Sequence, residues 1–97
     1  MDHYQQLAEI ALAQCPPSFE EVKLSAELDD GYSEIDLRCL KGKDEVHVTG
    51  YPAEASFGMH LALESIREEM GRLSGQKWSR CVFRILPDGT FEFNVEY

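Results

Sequence analysis

The chain has 97 residues, of which 43% are hydrophobic and 10% aromatic, with 18 acidic residues against nine basic ones and a formal charge of -9. A chain of this length holds one core and hardly a second, and it is too apolar to stay disordered at this charge, so a single folded domain spanning the whole chain is expected. The charge repels phosphate backbones and anionic membranes, which argues against nucleic acid or a membrane as direct ligand and leaves solubility or a basic partner as the meaning of the acidity.

The first element expected is a helix over residues 3–14, with Asp2 as N-cap, Tyr4, Leu7, Ala8, Ala11 and Cys15 at helical spacing, and Pro16 and Pro17 as the stop. Strict alternation follows. Val22, Leu24, Ala26 and Leu28 share one face and Glu21, Lys23, Ser25 and Glu27 the other, the pattern of a half-buried strand. After Asp29-Asp30-Gly31, a turn, Ile35, Leu37 and Cys39 alternate with Glu34, Asp36 and Arg38 in a second strand that pairs antiparallel with the first. Lys41-Gly42-Lys43-Asp44 is another turn, Val46 and Val48 belong to a shorter third strand, and Gly50 and Pro52 close the meander.

From Ser56, a candidate N-cap, the period changes. Met59, Leu63, Ile66, Met70 and Leu73 trace one stripe of a second helix that stops at Gly75, with Glu64 in reach of Arg67 and Glu68 of Arg72 on its outer face. Pro87-Asp88-Gly89 then turns a C-terminal hairpin. Cys81, Phe83 and Ile85 lie on one face of its first strand and Phe91, Phe93 and Val95 on one face of its second, with Glu92, Asn94 and Glu96 outside. The order α-β-β-β-α-β-β predicts an α+β fold, an antiparallel sheet of about five strands with helices packed on one face.

Chemistry is hard to find in this pattern. His3, His47, His60, Cys15, Cys39 and Cys81 share no metal-ligand spacing, and Cys39 and Cys81 fall on apolar faces where a free cysteine acts as a small core residue. An odd number of separated cysteines, without a C-x-x-C pair or a charged and apolar leader, suits a reduced, cytoplasmic setting. No nucleophile elbow or phosphate-cradling glycine loop is present, and neighbouring carboxylates such as Glu68 and Glu69 diverge on their elements. No catalytic, cofactor-binding or metal-binding residue is expected, and no cofactor.

What remains is the distribution of charge. Glu92, Asn94 and Glu96 line the outer face of the last strand, Glu34 and Asp36 that of another, and Glu64, Glu68 and Glu69 form a patch on the second helix. These residues, with Tyr51 in a loop and Tyr97 at the end of the sequence, are the candidate partner contacts, although each could be only a solvated surface position. Trp78 is either core or an interface anchor, and its place at a strand start favours core. An exposed edge strand could serve homodimerisation or the addition of a partner's strand.

The closing segment, with Trp78, an alternating apolar strand, Pro87-Asp88-Gly89, Phe91 and the pair Glu96-Tyr97, resembles the YezG-like antitoxin and immunity proteins. The order of elements is similar over nearly the whole chain, although the helical region here is shorter. The resemblance implies a cytoplasmic bacterial protein that neutralises a cognate toxin, often a nuclease, by contact. A small acidic adaptor or secretion-chaperone-like module is the alternative, and a small enzyme comes third. A chaperone would expose an apolar patch, and an enzyme a pocket with perturbed titratable groups.

Overall fold

Asp2 stands in an extended conformation and its Oδ1 accepts the backbone N–H of Gln5 at 2.7 Å, so the first helix begins as its capping residue dictates. The computed structural model describes residues 2–16, 18–29 and 31–97. Pro17 and Asp30, to which the sequence assigned part of a helix stop and of a turn, lie outside them. Helix α1 covers His3–Ala13 and buries Leu7 and Ala11.

Strands β1 (Glu21–Asp29), β2 (Tyr32–Lys41) and β3 (Asp44–Val48) form the expected antiparallel meander. Gly42 and Lys43 alone join the last two, with φ +61° at Gly42, the positive angle that the first position of a type II′ hairpin needs. Helix α2 covers Ala53–Ser74, and β4 (Arg80–Ile85) and β5 (Phe91–Glu96) close the chain as a hairpin. The fold is therefore α+β in the order α-β-β-β-α-β-β.

The strand order is β3-β2-β1-β4-β5, so β1 is central and β3 and β5 are the two margins. Because β1 pairs with both β2 and β4, Leu24 meets Leu37 on one side and Phe83 on the other, and Ala26 meets Ile35 and Cys81. This row, with Leu7 and Ala11 from α1 and Met59, Ala62, Leu63 and Ile66 from α2, makes the core. Trp78 is completely enclosed, as its position favoured, and packs edge-on against Phe93 at 5.7 Å. Its indole N–H finds no acceptor among the described residues, while its carbonyl accepts from Arg67 Nε at 2.7 Å. Tyr4 of α1 stacks on Phe91 and meets Phe93 edge-on, which fixes that helix above the C-terminal hairpin.

Several expectations are corrected. Helix α2 starts three residues before Ser56, because Pro52 presets φ at -59° and Ala53 and Ala55 favour the helix; Ser56 lies in the first turn, its N–H bonded to the Pro52 carbonyl at 3.1 Å. Leu73 continues the apolar stripe in sequence but is 85% exposed, since the last turn of α2 runs past the residues it packs on. Arg67 turns to the Trp78 carbonyl instead of Glu64, and Glu68 pairs with Lys77 at 3.0 Å instead of Arg72. Cys39 is buried as expected but is not free. It forms a disulfide with Cys15, 24 positions away, because the end of α1 comes down beside β2. Cys81 is the free thiol among the described residues.

Candidate functional site

Alternation in a sheet covered on one side leaves the other side open, and the register arranges its outward side chains in rows. One row runs His47, Arg38, Lys23, Arg84, Glu92; the next Asp36, Ser25, Val82, Asn94; the third Glu34, Glu27, Arg80, Glu96. The candidates Glu34, Asp36, Glu92, Asn94 and Glu96 therefore share this face although they come from β2 and β5, which do not touch. Between the rows lies a shallow depression of about 470 Å³, with Ser25, Val82 and Asn94 on its floor and Glu27, Glu34, Asp36, Arg80 and Glu96 around it.

The arginines of the open face are already engaged. Arg38 is held by Asp36 at 2.8 Å and Glu45 at 2.9 Å, hydrogen bonds that push its pKa further up. Arg84 reaches Glu21 at 2.6 Å and Glu92 at 3.7 Å, and Arg80 lies 3.7 Å from Glu27. His47 Nε2 sits 2.6 Å from Asp36. Carboxylates at Glu21, Glu27, Glu34, Asp36, Glu45, Glu92 and Glu96 still outnumber the cations Lys23, Arg38, Arg80 and Arg84, so a net negative field projects from an uncovered surface.

Glu64, Glu68 and Glu69 lie elsewhere, on α2, where they share a recess of about 380 Å³ with His3 and Arg72. The hydrogen bond and charge of Lys77 hold the Glu68 carboxyl below its usual range. Tyr51, a candidate contact by its place in a loop, is half-buried against the core, and burial, then the charge of Asp36, raises its pKa. Tyr97 is 61% exposed beyond β5.

The alternation made Glu27, Glu45 and Arg84 legible as outward residues, but their place in the cluster depends on β4 lying beside β1, which no local signal carries. A recess of about 310 Å³ was not foreseen at all. It opens between the start of β2 and the first turns of α2, with Tyr32, Ser33, Phe57 and His60 in its lining. His60 Nδ1 lies 2.8 Å from Ser33 Oγ and its Nε2 2.7 Å from Glu64 Oε1, so the ring ties α2 to the β1–β2 hairpin.

Burial pushes the Cys81 thiol up to about 12, which keeps it neutral and enclosed near neutral pH and unsuited to nucleophilic attack. Among the described residues no three potential ligands converge as a metal site, and no helix is long and apolar enough to cross a membrane. No protein-family model and no curated protein matches the chain.

Proposed function

We propose that this protein is an immunity protein or antitoxin that acts in the bacterial cytoplasm by binding a cognate toxin through the open face of its sheet, without catalysis of its own. The observation that supports this reading best is the excess of carboxylates on a sheet face that no helix covers. A nuclease keeps its active site basic in order to hold phosphates, and a rigid acidic surface both steers toward such a site and can cover it. The resemblance of the tryptophan-to-aromatic hairpin to the YezG-like proteins points the same way.

Co-expression with each candidate bacterial toxin, beginning with any product encoded next to this chain, tests the proposal. Survival of the cells and recovery of a 1:1 complex are expected, and Glu92→Lys with Glu96→Lys should slow association about tenfold at low salt and flatten its salt dependence. Cell death, or survival without a complex, rejects the reading.

A second reading, the adaptor or secretion-chaperone-like module, draws on Phe57, Leu61 and Leu73, which are 63%, 45% and 85% exposed along α2. It expects an extended apolar client to protect these side chains and leave the sheet face unchanged.

A further inference from the structure

A strand at the margin of an antiparallel sheet turns every second residue's N–H and C=O outward, and the ladder on its inner side fixes which residues these are. Across the β4–β5 hairpin the Leu86 N–H donates to the Thr90 carbonyl at 2.8 Å. Counting by two from Thr90, the backbone groups of Glu92, Asn94 and Glu96 face β4, and those of Phe91, Phe93 and Val95 face away from it, where the sheet has no further strand. The side chains of these three lie on the helix side. Phe93 and Val95 pack against the core there, but Phe91 is 46% exposed although Tyr4 stacks on it.

The inner neighbour shows what suits this strand. β4 sets Arg84 opposite Glu92 and Arg80 opposite Glu96, with Phe83 and Ile85 on its other face. The match in charge is incomplete. Arg84 lies 3.7 Å from Glu92 but 2.6 Å from Glu21, and Arg80 turns to Glu27, which leaves Glu96 without a cation among the described residues. At the other margin β3 has five residues, and its Glu45 is already held by Arg38 at 2.9 Å.

We infer that β5 takes a sixth strand from a basic protein partner: an extended segment with Lys or Arg four residues apart, opposite Glu92 and Glu96, and apolar residues on the side of Phe91 and Phe93. The inference rests on the reading that the partner is a basic protein. Main-chain hydrogen bonds to Phe91, Phe93 and Val95 supply affinity without regard to sequence, the two cations choose the segment and its register, and the apolar side covers Phe91. The added strand continues the carboxylate rows that end at Glu92 and Glu96, so the open face and its margin form one docking surface.

The test does not need the toxin. A blocked hexapeptide built on the pattern of β4, Arg-Val-Thr-Phe-Arg-Ile, is titrated into the isotope-labelled protein, and amide shifts and hydrogen exchange are followed by NMR. The amides of Phe91, Phe93 and Val95 should become protected, while those of Glu92, Asn94 and Glu96, already turned to β4, should change little. Glu92→Gln and Glu96→Gln should each weaken binding about threefold, and together about tenfold. Val95→Pro should abolish it, since the nitrogen that proline caps faces outward and takes no part in the ladder to β4. The dispersed spectrum reports whether each variant is folded, and the two exposed glutamates decide the matter if the proline variant is not.

Protection without the alternation, protection on β3 instead, or none at all would overturn the inference. So would equal binding of a peptide with glutamate in both arginine positions, or unchanged binding in the glutamine variants. Protection of the same three amides that grows with protein concentration and needs no peptide would assign the margin to a second copy and overturn it too. If the peptide adds to β5 while co-expression gives neither survival nor a complex, the immunity reading falls and the strand site stands; the reverse result removes the strand site alone.

Discussion

Cys81 lies in the middle of β4 opposite Ala26, 3% exposed, and its ordinary thiol pKa of 9.0 is raised to about 12 by burial. The sign of the consequence is fixed. In the unfolded chain the thiol ionises near 9.0, in the folded chain not until about 12, so the contribution is complete below 9 and is lost as pH rises through that window. Stability should fall there by up to about 1.4 kcal/mol per pH unit from this group, and urea midpoints for Cys81→Ala should depend less steeply on alkaline pH than those of the parent. Tyr4 and Tyr51, both raised by burial first, act in the same direction and leave a residual slope in the variant. At this scale the sequence was legible wherever a position has a period: the burial of Cys81 and the outward turn of His47 follow from counting by two. It was silent where a loop doubles back. Tyr51 stands between Gly50 and Pro52 with no period to read, and only the packed structure brings its ring against the core.

Helix α2 shows what an element's own signals determine and where they stop. Its C-terminus was legible, since Gly75 adopts φ +79° and its N–H bonds the Gly71 carbonyl at 2.9 Å, a left-handed cap that other residues enter with strain. Gly75→Ala should cost about 1 kcal/mol in chemical denaturation without altering the helix content of the native state. The stripe Met59, Leu63 and Ile66 was legible because a helix on a sheet must bury one face. Leu73 obeys the same period and fails the same prediction, since periodicity fixes the direction of a side chain and not whether anything lies opposite. The charge partners failed for a related reason: helix spacing offered Arg67 to Glu64 and Arg72 to Glu68, but the loop after Gly75 brought the Trp78 carbonyl and Lys77 into competition and they won.

At the scale of the molecule, the layers and the order of elements were legible and the strand order was not, because β4 reaches β1 only through the crossover of α2. The same long-range adjacency hid the Cys15–Cys39 disulfide, whose halves lie just beyond α1 and on β2. A cross-link closing a loop of this size contributes about 3 kcal/mol by restricting the unfolded chain, less than the roughly 5–15 kcal/mol of a typical domain. Cys15→Ser, or a thiol reductant acting on the parent, should therefore lower the thermal midpoint by several degrees and leave the fold intact at ambient temperature; a collapse of the native spectrum on reduction would rule out action in a reducing cytoplasm. The two margins of the sheet carry a different consequence. Asp44 and Glu45 lie along β3 and Glu92 and Glu96 along β5, so two molecules sliding together side by side would set like charges at the spacing of neighbouring strands, roughly 5 Å. An uncapped sheet invites endless extension into fibrils, and here the same acidity that would draw a basic partner keeps crowded copies apart, a protection that fades as the carboxylates are protonated.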